Sequence, residues 1–164
     1  MTEKQIITKV YEYNSIDELE EKDKILVERA KEITKNSYSP YSHFRVGAAL
    51  LLANGKIITG TNQENAAYPS GICAERVALF YANSEYPDVP VLSIAVAVKT
   101  NFGFIETPAP PCGSCRQVLL ETETRFKTPI KIILAANEKI QIIEDAKSLL
   151  PINFDDSFLK SGSK

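Results

Sequence analysis

The segment FRVGAALLLANGKIITGT, residues 44–61, decides the fold. Phe44, Val46, Ala48, Leu50 and Leu52 alternate with their neighbours, the period of a strand whose side chains point to opposite faces. Asn54-Gly55 follows, a pair that tolerates positive φ at both positions, so a type I′ turn and a hairpin are expected. Working back towards the N-terminus, Pro40 stops whatever helix precedes it. Ile16, Leu19, Leu26, Ala30 and Ile33 recur at helical intervals, interrupted by Asp23, and Ser15 with Glu18 has the spacing of a capping box. A helix over about 15–35 is predicted, its acidic side a solvated face. Residues 1–14 form a short strand or an arm.

Working forward, Ala74, Val77, Ala78 and Tyr81 share one helical face from Cys73 to about Ala82. VLSIAVAV (91–98) is an almost unbroken apolar run, expected for a strand covered on both faces. A proline-rich loop leads to a helix from about Ser114 to Thr122. IKIILAA (130–136) and KIQII (139–143) are the last strands, joined by a turn at Asn137-Glu138. Strands alternating with helices indicate an α/β layer fold with a mixed sheet. No internal repeat or low-complexity segment interrupts it.

The bulk properties exclude several functions. The chain of 164 residues has a net charge of -2, 44% hydrophobic and 24% charged residues. That balance suits one globular domain. No dense basic run is present to neutralise phosphates, so a polymeric nucleic acid is not expected as partner. No stretch approaches the ~18 apolar residues of a membrane span, and the first residues lack the apolar run of a secretion signal. Three cysteines suit a reducing cytoplasm better than a disulfide framework.

Those cysteines fall in two places, Cys73-Ala74-Glu75-Arg76 and Pro111-Cys112-Gly113-Ser114-Cys115-Arg116-Gln117. Each opens a predicted helix, whose partial positive charge favours the thiolate that binds metals. Cys112 and Cys115 face one ion across a single turn, and Cys73 supplies a third sulfur. Three ligands leave zinc one tetrahedral position for water, the arrangement of a catalytic site. Zinc lowers the pKa of such a water towards ~7. Glu75, two residues past Cys73, is the candidate general acid and base. Arg76 and Arg116 are the candidates for offsetting the charge of three thiolates. The pattern is close to that of zinc deaminases, with cysteine where histidine often stands.

SYSPYSHFRVGAALL (37–51), GTNQENAAYPSGICAERVALF (60–80) and PAPPCGSCRQVL (108–119) together resemble the small homotetrameric, zinc-dependent cytidine deaminases. The likeness runs from about Tyr38 to Phe158. It implies a three-layer α/β/α domain with a central mixed sheet of about five strands, spanning 16–160, with 1–15 an N-terminal extension and 161–164 a tail. It implies one Zn²⁺ per subunit on Cys73, Cys112 and Cys115, with Glu75 protonating the ring and water attacking C4, so that cytidine or deoxycytidine yields uridine or deoxyuridine and ammonia. Asn62 and Glu64 would hold the ribose 3′-hydroxyl, with Ala66 and Tyr68 in the same substrate-binding stretch. Phe44 and Val46 would pack on the pyrimidine, and Ala74 would read its edge. Phe154 would enter a neighbouring subunit's site in a homotetramer.

Two rival readings make different demands. A deaminase of another aminopyrimidine nucleoside, such as a nucleoside antibiotic, would keep the zinc and change the pocket. A non-catalytic protein would close a Cys₃His shell with His43, the only histidine, which is otherwise expected on an exposed loop. The segment NFGFIETPAP (101–110) is longer than the family pattern and is expected to shape the pocket rim or a subunit contact.

Overall fold

Successive side chains of the sheet strands pack into two separate cores, one on each face, and so divide the protein into layers. The computed structural model describes residues 1–160; the tail expected at 161–164 lies outside the described residues. In chain order the elements are β1 (Tyr11–Tyr13), α1 (Glu21–Ile33), β2 (Arg45–Leu52), β3 (Ile57–Thr61), α2 (Ala74–Glu85), β4 (Val91–Thr100), β5 (Gly103–Phe104), α3 (Gly113–Phe126), β6 (Lys131–Ala135), β7 (Ile140–Ile143) and α4 (Ser157–Lys160). The sheet order is β1-β7-β6-β4-β2-β3, with β5 paired to β4. β4 and β6 run parallel and the other pairs antiparallel, so the sheet is mixed.

On one face Ala49, Ala95, Ala97, Ile133 and Ala135 meet Leu26, Val27 and Ala30 of α1. On the other, Ala48, Leu50, Ile94, Val96, Ile132 and Leu134 meet Ala78 and Leu79 of α2 and Leu119 of α3. The three-layer expectation holds, and β4 is covered on both faces as its composition requires. The sheet has seven strands rather than five. The added strands, β1 and β5, hold three and two residues, too few to display a period.

Two local expectations are corrected. The turn after β2 is not type I′: Gly55 has φ 81° but Asn54 is not among the positive-φ residues. Gly55 N–H donates to Leu52 O at 2.9 Å, and Leu52 N–H to Lys56 O at 2.9 Å, a longer loop with glycine in the left-handed position. The helix expected over 15–35 is broken at Leu19 and Glu20. Ser15 caps a separate 3-10 turn, Ile16–Glu18, and α1 begins after it. Asp23, which interrupts the apolar stripe, is buried and receives Lys131 Nζ at 2.9 Å. No helix among the described residues is long and apolar enough to cross a membrane.

One close approach sets the position of α2. A Cβ on Gly60, at the end of β3, would lie 2.6 Å from Ala78 N and 2.7 Å from Ala74 O. Only glycine lets this strand touch the first turns of α2, where Cys73 and Glu75 sit. Gly60→Ala is expected to cost ~1–3 kcal/mol, as overpacking does, read as a lower urea midpoint with an unchanged slope.

Candidate metal centre and substrate cavity

Two helix starts bring the cysteines together. Cys73 is the residue before α2, Cys112 the residue before α3, and Cys115 lies in the first turn of α3. α3 belongs to the crossover from β4 to its parallel neighbour β6, so the sheet fixes where that helix begins. Cys73 Sγ lies 3.8 Å from Cys112 Sγ, which lies 3.5 Å from Cys115 Sγ. All three sulfurs fall within 4.8 Å of one another. A tetrahedral zinc with Zn–S of ~2.3 Å requires sulfurs ~3.8 Å apart, so the donor set fits the ion in kind and in spacing. His43 is not part of this group; it sits exposed on the 40–44 turn, so the Cys₃His shell is not formed.

The electrostatics follow from the packing. Hydrogen bonding from Cys115, joined by Arg76 and Cys112, holds the Cys73 thiol down at about 5. The hydrogen bond to that anion, together with burial, pushes Cys115 up. Arg76 Nη2 donates to Cys73 Sγ at 3.7 Å. Arg116 does not make the sulfur contact expected of it. Its Nε donates to Pro111 O at 2.8 Å and its Nη1 to Leu149 O at 3.1 Å, because two loop carbonyls lie nearer its fork. It braces the loop entering α3 instead of offsetting charge directly.

Glu75, in the first turn of α2, is only 4% exposed, yet it lines the same cavity as Cys73 and Cys112. Burial is the main cause that raises its carboxyl above the ordinary range, and the Cys73 anion adds to it. A carboxyl whose affinity for a proton is raised in this way suits proton transfer.

The cavity measures about 920 Å³. Phe44, Val46, Asn62, Glu64 and Tyr68 line it, as does Val98 of β4, directly across from Val46. Asn62 is heavily used by the protein itself. Its Oδ1 accepts from Val46 N–H at 2.8 Å and Ser37 Oγ at 2.6 Å, while Nδ2 donates to Phe44 O at 2.9 Å. One amide hydrogen remains. Glu64 receives the Ser42 hydroxyl, which holds its carboxyl below the usual range, and the N–H groups of Tyr41 and Ser42. Tyr68 meets Tyr41 edge to face at 6.3 Å on the rim.

Other expected residues lie outside this lining. Ala74 is buried in the first turn of α2, and Ala66 is exposed on the loop before it. Phe154 is 57% exposed, stacks on Phe158 at 5.6 Å, and accepts from Gln117 Nε2 through its carbonyl at 2.9 Å. Ser42, Val96, Val98, Ala109 and Pro110 are lining residues that sequence reading did not single out. Ala109 and Pro110 come from the long 101–110 segment, which does reach the cavity wall. The β4 valines carried no signal, since a strand buried on both faces shows no difference between core and cavity.

The family model described as "Cytidine and deoxycytidylate deaminase zinc-binding region" matches residues 20–128. The chain belongs to this family. A cytidine deaminase of Halalkalibacterium halodurans is 47% identical over 97 residues, covering 59% of this chain and 69% of that protein. A probable cytidine deaminase of Dictyostelium discoideum is 43% identical over 96 residues, covering 58% and 61%. Among solved structures, the cytidine deaminase of Burkholderia pseudomallei superimposes with a TM-score of 0.69 at 38% identity, covering 79% of this chain and 97% of that one. That of Mycobacterium tuberculosis gives 0.61 at 32%, covering 80% and 95%.

Membership in this zinc-binding family and the three converged sulfurs make zinc the cofactor. Metal analysis of purified protein should find one zinc per chain, and Cys112→Ser should lower that occupancy sharply while circular dichroism still shows a folded α/β protein.

Proposed function

We propose that the cavity converts cytidine and deoxycytidine to uridine and deoxyuridine with release of ammonia, as the names of the relatives indicate for those proteins. The observation that carries the reading is a buried carboxyl, Glu75, beside three sulfurs spaced for one zinc ion. Cys73, Cys112 and Cys115 would hold the ion, with Arg76 offsetting part of their charge. Bound zinc supplies a water acidic enough to act as nucleophile at neutral pH.

Glu75 then manages the protons. It takes the two protons of the water in turn, giving the first to the ring nitrogen N3 and the second, drawn from the hydroxyl added at C4, to the amino group leaving C4. Water adds at C4, the C4–N4 bond breaks, and the sum is one water consumed and one ammonia formed. The Ala74 backbone is assigned to the edge of the base. Phe44 and Val46 offer apolar surface to its faces, which orients C4 without charge. Asn62 with one spare N–H and Glu64 with one spare acceptor direction match a single hydroxyl, which both accepts and donates. We assign that hydroxyl to the ribose. The Tyr68 rim and the adjacent Ala66 loop would close around the sugar.

We take residues 16–160 as one catalytic domain and place it in the cytoplasm, where free thiols stay reduced. We further infer a homotetramer in which Phe154, exposed and outside its own cavity lining, completes a neighbour's site. Among the described residues that line the cavity, Arg76 is the one basic side chain, and it is engaged with Cys73, which favours a free nucleoside over a phosphorylated one.

Three measurements test this. Glu75→Gln should keep its zinc while kcat for cytidine, followed by ultraviolet absorbance, falls ~10²–10⁴-fold; turnover near the parent's would remove Glu75 from the mechanism. Phe154→Ala and Glu75→Gln subunits, each weak alone, should regain activity when mixed and reassembled. Such mixing pairs an intact Glu75 with a neighbour's intact Phe154. Sedimentation should show four chains, and a monomer with full activity would sink the shared site.

A further inference from the structure

Glu64 sits on an exposed stretch of the cavity wall, yet it is held by three donors. The Ser42 hydroxyl donates to Oε1, Tyr41 N–H to Oε2 at 2.9 Å and Ser42 N–H to Oε2 at 3.3 Å. The turn that supplies them is unusual. His43 adopts φ 54° in the left-handed region, and its N–H closes onto Ser39 O at 3.0 Å. Two successive amides, 41 and 42, therefore point the same way, at a carboxylate 22 residues further along the chain.

Ser42 does more than add a donor. Its oxygen also accepts from Phe44 N–H at 3.0 Å. That bond occupies a lone pair and leaves the hydroxyl proton free to aim at Glu64. The same serine thus touches both the carboxylate and the backbone of the ring-packing residue. A carboxylate has about four acceptor directions, and three are filled, so one remains for a ligand. An unheld glutamate would sample several rotamers, and binding would have to freeze it.

We propose that Ser42 is a positioning residue that preorganises Glu64, and so sets discrimination between nucleosides that carry the 3′-hydroxyl and those that lack it. This rests on reading Glu64 as the ribose ligand. Ser42 does not touch the reacting atoms, so its loss acts on substrate capture and leaves the chemical step alone.

The test compares cytidine with 3′-deoxycytidine for the zinc-loaded enzyme and its Ser42→Ala, Ser42→Thr and Glu64→Ala variants. Ser42→Ala should raise KM for cytidine roughly 10-fold or more, the order expected for a hydrogen bond to a charged group. Its kcat should stay within about 2-fold. For 3′-deoxycytidine the same variant should match the parent within about 2-fold, and Ser42→Thr, which keeps the hydroxyl, should restore cytidine binding. Equal losses on both nucleosides would overturn the proposal and leave Ser42 as a brace of the loop. So would an unchanged KM for cytidine. Glu64→Ala separates the two layers. If Glu64→Ala costs cytidine far more than 3′-deoxycytidine but Ser42→Ala does not, only the Ser42 role falls. If Glu64→Ala costs both nucleosides equally, the ribose assignment falls and takes the Ser42 role with it.

Discussion

Three sulfur atoms must share one point in space, and thiolates repel one another. That is the constraint on which the rest of the structure depends. The fold meets it by aiming the starts of two helices at the same place, so that each sulfur lies where backbone N–H groups contribute partial positive charge. Arg76 adds a full charge against Cys73. Among the sulfurs themselves, hydrogen bonding from Cys115 and Arg76 pulls the Cys73 thiol down, while the same bond and burial push Cys115 up. Zinc held by Cys73, Cys112 and Cys115 would replace the mutual repulsion with coordination, since metal ligands bind as thiolates. Much of the surrounding framework serves this convergence: Gly60 lets α2 seat against β3, and Arg116 ties the loop before α3 to the carbonyl of Leu149.

The cavity wall follows a different logic. Its polar groups are largely spent on the protein itself. Asn62 joins the backbone of Phe44 and Val46, clamping the start of β2 to the end of β3. Ser37 fixes which way its amide faces. What remains for a ligand is a short list of directed donors and acceptors on groups that cannot swing away. Such preorganisation lowers the ordering cost of any ligand these groups take.

How much of this could be read in the sequence depends on how local the physics is. Alternation over 44–52 and the apolar run at 91–98 were legible because burial imposes its period directly on residue type. The metal centre was legible because few chemistries call for cysteines so placed beside a carboxylate. β1 and β5 left no pattern, being shorter than the period needed to reveal them. Asn54-Gly55 fits more than one turn, and the choice was made by the hydrogen bonds that close the hairpin. Of the two arginines, Arg76 is the one that reaches a sulfur; the acceptors of Arg116, Pro111 O and Leu149 O, are backbone groups that no residue pattern announces. Ser42 was missed for a related reason: its carboxylate partner is far along the chain, and serine is common in turns.

The short strand β1 has a meaning beyond its three residues. It pairs with Ile140–Ile142 of the IQII strand, which would otherwise present an apolar, unpaired backbone at the outer boundary of the sheet. Such an edge invites pairing with other chains and ordered aggregation. Tyr11–Tyr13 occupies those hydrogen-bonding positions and brings Glu12, whose carboxylate holds the Gln141 side chain at 2.7 Å. The N-terminal segment thus closes this edge of the sheet, leaving β7 with a partner on each side.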